Sequence, residues 1–120
     1  MKKMIFILNI WLVTTQFLLS QNNYPKNYFS SPVDIKIAIA GTFGELRKNH
    51  FHSGIDIKTK QKINIPIYAS QSGYISRIKI SPYGFGKTLY INHPNGYTTV
   101  YAHLENFNEE ITKIAHDEQF

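Results

Sequence analysis

The chain has 120 residues, enough for one domain, and no cysteine, which excludes a disulfide framework and any thiolate metal site. Its net charge is +5, and setting aside the N-terminal Lys2 and Lys3 leaves +3. So mild a surplus suits an anionic surface such as cell wall. With no Lys/Arg stripe and no single-strand-binding pattern of aromatics, it argues against nucleic acid as a partner.

In chain order, "MKKMIFILNIWLVTTQFLLS" puts two lysines before an apolar run. At 1.5 Å per residue, Met4 to Leu19 would span roughly 24 Å as a helix, short of the ~30 Å hydrocarbon core. Residues 1–20 are therefore read as a secretory signal peptide, which places the remainder outside the cytoplasm, secreted or in the cell envelope. The membrane then matters only through that segment. Residues 21–33, rich in Asn, Ser and Pro, read as a linker or surface loop, and 34–120 as the folded domain.

Period-two alternation predicts strands at "DIKIAIA" (34–40), "GIDIK" (54–58), "INIPIYAS" (63–70), "GYISRIKI" (73–80) and "GKTLYIN" (86–92). In 73–80 it assigns Tyr74, Ser76, Ile78 and Ile80 to one face. "GTFGELRKN" (41–49) reads as a loop. In "HPNGYTTVYAH", Asn95-Gly96 offers the left-handed residues of a tight turn, so 86–92 and 97–103 form a hairpin. Leu104, Phe107, Ile111 and Ile114 then fall at helical spacing. The expected class is all-β, an antiparallel sheet domain with a short helical tail.

"HFHSGID" (50–56) concentrates the candidate chemistry. Without thiolates, a metal must be held by His, Asp or Glu. His52 and Asp56 would lie roughly 13 Å apart on a straight strand, at about 3.3 Å per residue, so a shared ion needs the chain to curl between them. Gly54 is the residue that would permit the curl. His50 and His52 form an alternative chelating pair, and spacing alone does not choose between the two. His103, at a strand end, shares a face with Tyr97, Thr99 and Tyr101 on simple alternation. It reads either as a cleft-facing catalytic group or as a hydrogen-bonded strand end. His93, before Pro94, reads as solvent-exposed in its turn, and His116 as a surface residue of the tail.

The stretches "NHFHSGIDIKT", "IPIYASQSGYISRI" and "YGFGKTLYINHPNGYTTVYAHL" resemble, in order and spacing, the M23 family of zinc metallopeptidases, the lysostaphin-like cell-wall endopeptidases. The resemblance runs from about Gly41 to Leu104. It implies a compact antiparallel β-domain with Zn2+ in a groove, and metal-assisted hydrolysis of peptidoglycan peptides. It selects His52 and Asp56 as zinc ligands, leaves His50 outside the coordination sphere, and makes His103 a catalytic residue that does not bind the metal, with Tyr101 as its neighbour. The family's third ligand comes from a downstream H-x-H motif, which does not occur after His103. On the resemblance, the chain is thus an N-terminal part of the domain and supplies two of three protein ligands. The other reading is an inactive module of the same fold that binds cell wall or regulates a partner.

Overall fold

The structure is a computed structural model that describes residues 25–117; the expected signal segment lies outside the described residues. Among the described residues, no helix is long and apolar enough to cross a membrane.

Two short strands, β1 (Ile39–Gly41) and β2 (Asp56–Ile57), pair antiparallel, Ile39 opposite Ile57 and Gly41 opposite Asp56. The register slips between the two pairs, which leaves Ala40 as an extra residue on β1. The loop between the strands folds back on itself. Leu46 bridges Phe51, and Glu45 exchanges position with His52 through His52 N–H to Glu45 C=O at 2.8 Å. Gly44 N–H reaches His52 C=O at 2.8 Å. This small hairpin brings the 45–47 segment alongside His52.

A second antiparallel sheet has the order β3 (Tyr74–Lys79), β4 (Lys87–Asn92), β5 (Thr98–Leu104). β4 is central, and its β-branched and aromatic run accounts for that. Leu89, Ile91 and Thr88 are buried, whereas most of β3 is exposed. The hairpin expected between β4 and β5 forms, with a turn that differs from the expectation. Gly96 N–H bonds His93 C=O at 3.0 Å across Pro94 and Asn95, and only Gly96 is left-handed, with φ 82°. Asn95 keeps an ordinary φ and uses its side-chain oxygen to accept from Tyr97 N–H at 3.1 Å. Pro94 pre-sets the first corner and Gly96 closes the loop, a three-residue connection with its glycine last.

Both β3 and β5 carry a bulge. Pairing with β4 gains one residue on β3 between Ile75 and Arg77, so Ser76 breaks the alternation that would have put Tyr74 and Ile78 on one face. On β5 the extra residue lies between Tyr101 and Leu104. The shared face expected for Tyr101 and His103 is lost there.

Two expected strands do not form as such. Of 34–40, only Ile39 and Ala40 join a strand; just before them Lys58 N–H reaches Ala38 C=O at 2.8 Å, and the ladder is not continued through 34–37 among the described residues. Residues 63–70 are extended but contain Asn64 at φ 60°, and they meet a neighbour only at their end. There Ser30 N–H reaches Ser70 C=O at 2.8 Å and Tyr68 N–H reaches Pro32 C=O at 2.9 Å. The 28–33 stretch has no regular secondary structure, as expected of a loop. It is nonetheless docked, with Val33 buried and Gln71 Nε2 donating to Tyr28 C=O.

The tail is helical as its spacing predicts: α1 spans Glu109–Asp117. Asn108 caps it, with Oδ1 accepting from Ile111 N–H at 2.8 Å, and Glu109 and Glu110 face the positive end of the helix. The class is all-β with a short C-terminal helix.

Candidate functional site

His52 and Asp56 meet. His52 Nε2 lies 3.3 Å from Asp56 Oδ1, so the chain does curl between them. The curl does not depend on a left-handed glycine. Gly54 has no positive φ, and a Cβ added there would touch nothing within 4 Å. What shapes the segment is the start of β2 at Asp56 and the bonds from His52 back to Gly44 and Glu45.

The imidazole is oriented from behind. Its Nδ1 is 2.9 Å from Thr42 C=O, and a carbonyl only accepts, so Nδ1 carries the hydrogen. In the neutral ring Nε2 is then a lone pair, facing a carboxylate oxygen. Two electron-pair donors turned toward each other at this distance fit a cation between them. Tetrahedral zinc with bonds of ~2.0–2.1 Å holds its donor atoms about 3.3 Å apart. The His52 side chain is only 17% exposed, while that of Asp56 is 43% exposed, so the carboxylate is the more open member of the pair.

On its other side Asp56 is engaged by Arg47, whose Nη2 is 2.7 Å from Oδ2 and 3.0 Å from Glu45 Oε2. This hydrogen bond is the main reason the Asp56 carboxyl is held below the usual carboxylate range; desolvation opposes it and the charge of Arg47 adds to it. Asp56 is therefore ionised, as a metal ligand must be.

His103 lies on β5 and makes no hydrogen bond or ion pair with His52 or Asp56 among the described residues. It occupies the β5 bulge in a left-handed conformation, φ 56°, which costs a β-carbon-bearing residue roughly 1–2 kcal/mol. The backbone is fixed by His103 N–H to Phe85 C=O at 2.9 Å, and the ring packs edge-on to Phe85 at 6.4 Å. The side chain is exposed. Tyr101 is not its partner, since the Tyr101 hydroxyl accepts from Ser70 N–H at 2.8 Å and bonds Thr99 Oγ1 at 3.0 Å.

The remaining histidines separate from the site. His50 is exposed, and its carbonyl closes a turn by accepting from Arg47 N–H. His116 is exposed on α1. His93 corrects the expectation of an exposed turn residue: it is 5% exposed, with Nδ1 donating to Ser72 C=O at 2.9 Å and Nε2 bonded to Thr99 Oγ1 at 2.8 Å. It knits β4, β5 and the start of β3 together and takes no part in the His52–Asp56 pair. Among the described residues no group of three or more metal-ligating side chains forms.

Four contributors were not apparent from the sequence: Thr42 through its carbonyl, and Gly41, Glu45 and Arg47 around Asp56. A loop of mixed composition carries no spacing that marks them.

Residues 50–118 match the model of peptidase family M23. No curated protein and no solved structure matches the chain. The matched segment begins at His50, contains His52, Asp56 and His103, and covers more than half of the 120 residues. The chain belongs to peptidase family M23.

Proposed function

We propose that this chain is a secreted zinc-dependent endopeptidase, or the N-terminal part of one, that cleaves peptide bonds in peptidoglycan. The observation that carries the reading is the apposition of His52 Nε2 and Asp56 Oδ1 at 3.3 Å. His52 and Asp56 would hold the ion. Zinc supplies a Lewis acid that lets water act as a nucleophile near neutral pH. His103, exposed on its bulge, is suited to relay a proton or to steady the oxyanion developing on a peptide carbonyl. The signal-like segment 1–20 and the mild basic surplus support an extracytoplasmic, anionic target.

The second reading, an inactive module that binds cell wall or a partner, is favoured by the lack of a three-ligand group among the described residues. The same fact predicts that zinc is held weakly, at well under one ion per chain after dialysis.

Four alanine variants test the assignment, each measured for Co2+ or Zn2+ binding and for hydrolysis of a peptidoglycan-type peptide. His52→Ala and Asp56→Ala lose metal and hydrolysis together. His103→Ala keeps the metal while turnover falls by about two to four orders of magnitude. His50→Ala changes neither. Metal binding that survives both His52→Ala and Asp56→Ala would sink the ligand assignment. A parent chain that binds the peptide without cleaving it favours the inactive module.

A further inference from the structure

Arg47 sits against the proposed ligands without being one. Its Nη2 has two hydrogens, and both are spent on carboxylates: one on Asp56 Oδ2 at 2.7 Å, the other on Glu45 Oε2 at 3.0 Å. The same nitrogen is 3.4 Å from His52 Nδ1, but that ring nitrogen already donates to Thr42, so the contact is not a hydrogen bond. Arg47 Nε is buried and has no hydrogen-bond partner among the described residues. The side chain is thus held by its end group alone.

Space for this end group comes from Gly41, the residue opposite Asp56 in the β1–β2 pair. A Cβ on Gly41 would collide with Arg47 Nη2, lie 2.5 Å from Asp56 Oδ2 and lie 3.0 Å from Glu45 Oε2. Gly41 is buried and has no left-handed φ, so the demand on it is for room and not for backbone freedom.

We propose that Arg47, braced by Glu45 and admitted by the bare Cα of Gly41, is a positioning residue that occupies Asp56 Oδ2 and so presents Oδ1 alone to a divalent cation beside His52 Nε2. The proposal rests on the reading of His52 and Asp56 as ligands. Its chemical effect is to make Asp56 a one-oxygen donor, which keeps the coordination number low and leaves positions for water and a substrate carbonyl.

Two effects of Arg47 oppose each other. Its charge repels a cation, so on charge alone removing it tightens metal binding. Its directed bond fixes the carboxylate, so removing it lets Asp56 swing away and weakens binding. Arg47 and Asp56 side chains are 38% and 43% exposed, and water screens the repulsion there, whereas the orientation given by the bond is unaffected by screening. Orientation wins, in keeping with the 10–100-fold losses of metal affinity or activity typical when an outer partner of a metal ligand is removed.

The experiment is a Co2+ titration of the full chain followed by visible absorption, with Zn2+ competition and far-ultraviolet dichroism as the check on folding. Arg47→Gln and Gly41→Ala each weaken Co2+ binding about 10–100-fold. Arg47→Lys, which keeps the charge and a donor but not the planar group, restores part of the loss. Glu45→Gln shifts binding in the same direction by less. Unchanged or tighter Co2+ binding in Arg47→Gln overturns the proposal. If Arg47→Gln fails to fold, Gly41→Ala and Glu45→Gln decide, and normal affinity in both overturns it. Binding that depends on Asp56 but not on Arg47 or Gly41 overturns the positioning role alone; binding indifferent to Asp56→Ala overturns the ligand reading beneath it.

Discussion

His93 and His103 show how differently one residue type is used ten positions apart. His93 is enclosed, with both ring nitrogens bonded, and its neighbour Gly73 leaves no room for a side chain where the imidazole lies. Replacing it by alanine strands the Ser72 carbonyl and takes one of two partners from the Thr99 hydroxyl, which keeps Tyr101. The expected cost is about 1–3 kcal/mol, read as roughly 5–150-fold faster hydrogen exchange of β4–β5 amides. Exchange at the parental rate would mean that His93 is a passenger. His103 faces solvent from a strained backbone. Sequence reasoning reached His52, Asp56 and His103 through the family resemblance, because their spacing survives in one dimension. It assigned His93 to solvent because a His-Pro turn start is usually exposed; the docking of Ser72 and Thr99 around the ring is a tertiary fact. Arg47 was invisible for the same reason: its importance lies in an opposite strand's glycine.

At the scale of elements, what the sequence encodes locally is what could be read. The β4–β5 connection and α1 announce themselves by turn and spacing chemistry, and both form. Gly96 at φ 82° is the residue the hairpin cannot exchange. Gly96→Ala is expected to destabilise the connection by roughly 1–2 kcal/mol, seen as faster exchange of the Tyr97 and Thr98 amides; unchanged exchange would assign the register to the strands instead of the turn. Residues 34–38 and 63–67 carry the same alternation as the real strands. Alternation states which face seeks burial, but it does not supply a partner strand, and the single bond from Lys58 N–H to Ala38 C=O does not extend into a ladder among the described residues. Nor does it reveal a bulge, since an extra residue on β1, β3 or β5 changes no composition and still reverses the faces beyond it.

For the molecule as a whole, the balance of burial decides behaviour. Among the described residues the buried apolar side chains are Val33, Leu89 and Ile91, while Ile35, Ile37, Phe43, Leu46, Phe51, Ile63, Tyr74 and Tyr83 are among many that remain exposed. A core that small contributes little against chain entropy, and the open strand edges invite association. The isolated chain is expected to self-associate with rising concentration and to melt over a broad range; a sharp transition from a monomer at every concentration would contradict this. The two-sheet layout also sets an order of assembly. His52 and Asp56 are joined by a short local segment, whereas His103 is set in place only once β5 has paired with β4 and docked on Phe85. On the proposed reading, apposing the two ligands is thus an early step for the chain, and placing His103 is a late one. Metal uptake, where it occurs, would therefore be a poor witness of a finished catalytic centre, since the proposed ligand pair can close before the rest is built.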